Sequence, residues 1–192
     1  MVDKQFKLCT FFAEENVVRS VEFREEGSIL FHFHVRYEGF LHVDFRPPED
    51  QRISVQLILE ERAKAMVRVL YQGQKKATFT CHTLQKHIGN NSQSTVEVRC
   101  VCEDEARVNY FGKIEIPENI SAVKAFQRNK NLVFSENVYI HTEPAMDVRS
   151  KDAECFHGAA IGGIDPEILQ YFSLRGIKRS RAQDLFIAGF LS

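Results

Sequence analysis

The sequence predicts a mainly β protein that ends in a small helical unit, and three observations carry this. Apolar and polar residues alternate over a series of short segments, the period of a half-buried strand. Turn-forming residues separate these segments at regular intervals. No stretch with a helical pattern of conviction precedes Asp165. Strands spaced in this way, without helices between them, form a sandwich, a barrel or a β-solenoid. The chain shows no exact short repeat of the hexapeptide kind, but a solenoid with irregular rungs would show none.

The elements follow in order. Val17 to Phe23 alternates, and Ile29 to Tyr37 does so cleanly, with Phe31, Phe33, Val35 and Tyr37 on the core side and His32, His34 and Arg36 on the other. Phe40 to Phe45, Ile53 to Leu59, Ala65 to Tyr71, Ala77 to Thr83, Thr95 to Cys102 and Ala106 to Ile116 have the same character. Breaks are expected at Glu26-Gly27, Glu38-Gly39, Pro47-Pro48, Gln72-Gly73, Gly89-Asn90-Asn91 and Pro117-Glu118-Asn119. Ile58 to Met66 has some helical propensity, but the flanking Val55, Leu57, Leu59, Val67 and Val69 favour two strands around a charged turn. The domain division expected is residues 1–150 for the β core and 151–192 for a junction loop and a two-helix subdomain.

In the tail, Asp165 is a good N-cap, Pro166 fits the first helical position and Glu167 complements the helix dipole. Ile168, Leu169 and Phe172 form one apolar stripe, and Gly176 supplies the stop. A second helix follows, with Ala182, Leu185, Phe186 and Gly189 on one face. Its first turn holds Lys178, Arg179 and Arg181, the wrong sign for a helix N-terminus, which reads as tolerated surface charge or as the seat of an acidic partner.

Bulk properties narrow the function. A chain of 192 residues can bury one sizeable core. A net charge of −1 recruits neither nucleic acid nor anionic membrane, and basic residues are balanced by acids without an aromatic-basic stripe. No apolar run approaches the roughly 20 residues of a membrane span, and the start carries no signal-peptide pattern. The five cysteines (9, 81, 100, 102 and 155) are therefore expected as reduced thiols in a cytoplasmic setting. There is no phosphate-binding Gly-x-x-x-x-Gly-Lys-Ser/Thr loop and no Gly-x-Ser-x-Gly elbow, so no enzyme signature of those kinds is present.

Three constellations could carry chemistry. Cys155 and His157 stand two residues apart, which puts a thiol and an imidazole on one side of an extended strand. Both donors suit iron or an iron–sulfur cluster, yet two are too few for a stable cluster, so others must come from a partner and binding would be transient. The alternative is a small buried thiol beside a hydrogen-bonded histidine. Cys100-x-Cys102, and likewise Cys9 and Cys81, read as small core residues rather than as a zinc or redox pair. His32-x-His34 followed by Glu38, with His42 nearby, resembles the metal triad of cupin barrels and would make the chain a metal-dependent enzyme. Against this, Arg36 shares the histidine face and Phe45 stands where the motif closes on glycine.

The longest run of recognisable sequence lies in the second half. Phe111-Gly112-Lys113-Ile114, Ala125-Phe126-Gln127, Asn129 to Ser135, His141-Thr142-Glu143-Pro144, Asp152 to Gly162 and Asp165 to Gly176 occur in that order. Together with Ile177, Ala182 and Gly189-Phe190, they resemble the SufB/SufD family, the scaffold subunits of the SUF system for iron–sulfur cluster assembly. The match is good from about Thr95 to Phe190 and poor in motifs before that.

This resemblance implies a right-handed parallel β-helix capped by C-terminal helices. It implies a complex with a SufB-type scaffold, or a self-dimer through the β-helix, and with a SufC-type ABC ATPase docking on the helices through Tyr171, Phe172, Leu185, Phe186 and Phe190. SufB-type members carry a cysteine three residues before the His-Thr-x-Pro element, where this chain has Val138. They also carry a glutamate after the tail histidine, where it has Gly158. The chain is thus similar to the SufD type: a non-catalytic accessory scaffold with His157, joined by Cys155, as transient iron or cluster ligands and with no tightly bound cofactor. It looks like a short form. An interaction module without a cluster role is the alternative reading, and the cupin-type enzyme a further one.

Overall fold

The computed structural model describes residues 7–13 and 27–192 in full and 16–21 as backbone. Glu22 and Phe23 of the first expected strand, and Glu26 of the first expected turn, lie outside the described residues. Two six-stranded sheets face each other. The first has the order β1 (Lys7–Ala13), β3 (Gly27–Val35), β5 (Gln51–Leu59), β7 (Thr78–His87), β9 (Arg107–Ile116), β11 (Tyr139–Val148). The second has the order β2 (Asn16–Val21), β4 (Phe40–Phe45), β6 (Lys64–Gly73), β8 (Gln93–Cys102), β10 (Val123–Val133), β12 (Ala153–Gly162). Every pairing is parallel, and consecutive strands alternate between the sheets. This is a parallel β-solenoid with two strands per turn, which decides among the three architectures left open by the strand pattern.

The register explains why no repeat is visible in the sequence. Lys7 lies opposite Ile29, 22 residues on, and Gly27 opposite Gln51, 24 on. Thr78 lies opposite Arg107, 29 on, and Arg107 opposite Tyr139, 32 on. The rungs lengthen along the chain, so no fixed period exists to be found.

Turns stack as the strands do. Between the first and second sheets, Glu38, Arg62, Asn91 and Ala122 occupy matching places with φ of 55–59°. That left-handed conformation suits Asn but costs other residues about 1–2 kcal/mol. Turn-to-turn backbone bonds offset it: Glu38 N donates to Glu61 O at 3.0 Å, Arg62 N to Asn90 O at 2.9 Å, and Asn91 N to Ser121 O at 3.0 Å. On the return side, Lys75 and Asp104 repeat the arrangement. The charged turn expected between Leu59 and Ala65 is one of these corners.

The interior begins apolar. Phe31 and Phe45 pack with ring centroids 4.7 Å apart, and Tyr71 stacks on Phe79 at 4.3 Å. Leu41, Val43, Ile53, Val55, Leu57, Val67 and Val69 fill the space around them. Burying each such side chain is worth about 1.5–3 kcal/mol. Cys81, Cys100 and Cys102 are fully buried, as small core residues should be. Tyr37 departs from the expected core face: β3 ends at Val35, the chain turns at Glu38, and the ring is left 52% exposed.

The tail has the predicted helices, α1 (Pro166–Leu174) and α2 (Arg179–Phe190). Asp165 Oδ1 accepts from Glu167 N at 2.9 Å, and Gly176 has φ of 73°. Arg99, on the outer side of β8, donates to the carbonyls of Phe190 (2.8 Å) and Ser192 (2.9 Å), which fastens the end of α2 to the second sheet. Within the stretch expected as a junction, residues 153–162 form the strand β12, paired along its length with β10. Among the described residues, no helix is long and apolar enough to cross a membrane.

Candidate functional site

β11 and β12 are the last strands of their sheets, and each has a hydrogen-bonded neighbour on one side only. On β12 the alternation places Cys155 and His157 on the inner side, more buried than Glu154 and Phe156. Their register partners on β10, Ala125 and Gln127, are both fully buried. The open end of the solenoid therefore presents a thiol and an imidazole on one edge strand, with Thr142 on the inner side of β11.

Two neighbourhoods surround this pair. Cys155 packs against an apolar cluster of Ile114, Ile116, Ile120, Val123 and Ala125. Burial raises its thiol above the ordinary range, partly offset by a backbone bond to Ala125, so in this chain alone it is held as a neutral thiol. His157 sits at the end of a polar row. Its Nδ1 is buried without a protein hydrogen-bond partner among the described residues, and so are Gln127 Nε2, Asn131 Oδ1 and Thr142 Oγ1. Buried polar atoms are normally paired, with protein or with ordered water, so these four are the atoms of this end with hydrogen-bonding capacity left over.

The polar row is what the sequence reading missed. Gln85, His87, Ser94, Gln127, Asn129 and Asn131 all lie inside the solenoid, 4% exposed or less. His87 bonds Ser92 Oγ through Nδ1 at 2.7 Å and Ser94 Oγ through Nε2 at 2.8 Å. Burial holds the His87 pKa down to about 4, so the ring is neutral. The signal was the period-two spacing of Gln127, Asn129 and Asn131, hidden because Arg128 and Lys130 make the other face of that strand polar too. Gly112 belongs to the same device: a Cβ there would overlap the Gln127 carboxamide and the Tyr110 hydroxyl.

The remaining candidates fall elsewhere. Val138 packs against the core and supplies no ligand. Gly158 alternates with His157, so a side chain there would stand on the opposite, outer side of β12. The cupin-like triad is not assembled. His32 and His34 lie on the outer side of the first sheet, where His34 Nε2 meets Glu60 Oε1 at 2.8 Å. Glu38 sits in the following turn against Arg62 at 2.9 Å, which lowers its carboxyl pKa. His42 is on the second sheet, bonded to Asp44. Of the expected docking residues, Tyr171 and Leu185 are exposed, while Phe172, Phe186 and Phe190 are half-buried.

A family model described as "SUF system FeS cluster assembly, SufBD core domain" matches residues 51–190. The chain belongs to the SufBD core family. Among curated proteins, it is 28% identical over 92 residues to iron-sulfur cluster assembly protein SufD of Escherichia coli (strain K12), 48% of this chain and 22% of that protein. It is 29% identical over 124 residues to the SufD protein of Bacillus subtilis (strain 168), 65% of this chain and 28% of that one. An iron-sulfur cluster assembly SufBD family protein of Methanothermobacter thermautotrophicus matches at 24% over 132 residues, 69% of this chain and 32% of that one. The matches thus span 22% to 32% of the length of these three relatives. The SufBD match includes β5 to β12 and both helices, so Cys155, His157 and the polar row all lie within it.

Proposed function

We propose that this protein is a SufD-like, non-catalytic accessory scaffold in iron–sulfur cluster assembly. The observation that carries the reading is the pair Cys155 and His157 on an edge strand, facing inward, with His157 Nδ1 buried and unpartnered. Iron or a nascent cluster is cargo here. Thiolate and imidazole supply part of its coordination, and the rest comes from a SufB-type scaffold, or a second copy, stacked on β11 and β12. Stacking also covers two edges that would otherwise template aggregation. Met146, Phe156 and Ile161, 43–54% exposed on these strands, gain burial in such a contact. A metal held across the interface lowers the Cys155 thiol pKa and makes it a ligand.

The helical pair serves as the seat of an ABC-type ATPase. No residue of α1 is buried and only Ala182 of α2 is, although Ile168, Leu174 and Leu185 are apolar and at least 36% exposed. The test is reconstitution with a SufB-type chain and the ATPase. His157→Ala is expected to lower cluster delivery while the complex still assembles. Delivery equal to wild type would reduce the protein to an interaction module, and failure of the ATPase to co-purify would remove the docking role.

A further inference from the structure

The exposed face of the helical pair is apolar along one helix and basic where the two helices meet. Ile168, Tyr171 and Leu174 recur at three-residue spacing along α1 and are all exposed, Leu174 by 79%. The Arg175 guanidinium lies 3.5 Å from the centre of the Tyr171 ring, so a cation borders this stripe. On α2, Arg181 and Leu185 stand one turn apart, and both are exposed. Residues 166–192 carry four cations against two carboxylates, whereas the whole chain has a net charge of −1.

These cations are not neutralised within the chain. Among the described residues, Lys178, Arg179 and Arg181 form no ion pair, and Asp184, three residues beyond Arg181, forms none either. The two helices also begin in opposite ways. α1 starts with Asp165 and Glu167, the sign that the positive end of a helix dipole favours. α2 starts with Lys178 as a cap residue that makes no side-chain bond, and its first turn holds Arg179 and Arg181 and no acid. The far end of α2 is the one fastened to the second sheet, through Arg46 to the Leu191 carbonyl at 3.3 Å and Arg99 to that of Phe190 at 2.8 Å. A helix of 12 residues is about 18 Å long, so the cations stand well away from that fastening.

We infer that the turn end of the helical pair is a docking surface for an acidic protein surface: carboxylates of the partner stand against Lys178, Arg179 and Arg181, while Tyr171, Leu174 and Leu185 enter an apolar recess. Charge complementarity selects this occupant. A wholly apolar surface would cover the three cations without pairing them, and a basic one would be repelled. The partner's carboxylates also supply the negative charge that the start of α2 lacks. Exposed Tyr and Arg side chains are the types that anchor interfaces, and charges at the rim set the rate of encounter. The inference rests on the helices being the seat of an ABC-type ATPase for the identity of the partner.

The test follows association of the full-length chain with a purified SufC-type ATPase by stopped-flow fluorescence at low and high sodium chloride. Wild type is expected to associate more slowly as salt rises. Arg179→Glu combined with Arg181→Glu should lower the association rate about tenfold or more at low salt and flatten its salt dependence. Arg179→Lys combined with Arg181→Lys keeps the charge and should behave as wild type. Leu174→Ala should act on dissociation instead, making it about tenfold faster at an unchanged association rate. The double glutamate variant should melt at a higher temperature than wild type as an isolated chain, because it restores the sign that a helix start favours, so its lost binding is not lost folding. Equal association rates with equal salt dependence in wild type and that variant overturn the inference and leave the docking reading standing. Failure of wild type to bind the ATPase removes both. Binding of wild type to phosphatidylglycerol vesicles, abolished in the double glutamate variant while ATPase association is unchanged, assigns the cations to a membrane surface and also overturns the inference.

Discussion

Between β3 and β6 the inward positions of the solenoid hold Phe31, Phe33, Phe45, Leu57, Val67 and Val69, and from β7 onward the same columns hold Gln85, His87, Ser94, Gln127 and Asn129. In one register column, Val43, Val67 and Val96 are followed by Gln127 and then His157. The backbone is the same in both regions: parallel ladders with stacked corners. What changes is the source of interior cohesion. The early rungs are held by apolar burial, which is non-directional and tolerant. The late rungs keep an apolar part, with Val96, Val98, Val108 and Ile114 in it, and add buried hydrogen bonds, which are costly if broken and specify orientation. The polar row ends beside His157, while Cys155 rests on the apolar cluster around Ile114 and Val123, so the interior of lower tolerance lies at the imidazole half of the candidate site.

This contrast can be broken most strongly on the apolar side. Phe45→Ala removes a ring packed against Phe31 and Phe33 and is expected to cost about 3–5 kcal/mol in urea unfolding. A cost below 1 kcal/mol would mean that the early interior is not the stabilising core.

The second effect is a pH dependence peculiar to the polar side. His87 has a folded pKa near 4 against an ordinary 6.5, so between these values the unfolded chain binds more protons and stability falls as pH falls. The loss amounts to about 3 kcal/mol from pH ~6.5 down to pH ~4. His87→Gln should flatten the profile in that window. Carboxylates held low by arginine, such as Asp44 beside Arg68, lose their contribution at more acid pH, below about 4. A wild-type profile that is already flat between 6.5 and 4 would contradict the buried neutral ring.

The smallest effect separates the two kinds of cohesion. Gln85→Leu strands Ser94 and Gln127 and should cost about 1–3 kcal/mol by thermal or urea unfolding. Gln85→Leu combined with Gln127→Leu should recover part of that loss, because fewer polar groups are left unpaired. Strict additivity of the two would show that the row is not a coupled network.

Much of this was legible in the residues. The alternation of Phe31, Phe33 and Val35, the corner at Glu38, the buried Cys100 and Cys102, and the Asp165 cap with its Gly176 stop follow from local chemistry. Local chemistry did not reveal the end of β7. Gln85 and His87 are polar on the inward side, so the alternation by itself ends the strand at Thr83. It put Cys155 and His157 on one side of an extended strand but not the full length of β12, since Gly158 and Ala159 weaken the alternation and pairing with β10 holds the strand extended.

The sequence by itself determined that strands would form, which of their sides is apolar in the early half, where the chain caps its helices, and that a thiol and an imidazole share one side of a strand near the end. Those are short-range matters of period and turn type. Only the tertiary structure decided that the strands stack in parallel with a step growing from 22 to 32 residues. Only it brought Gln85, Ser94 and Gln127 into one buried row, with half-buried His157 in register at its end. The reason is that parallel pairing is set by long-range backbone ladders, and a polar residue shows itself as an interior one only when the rungs above and below enclose it.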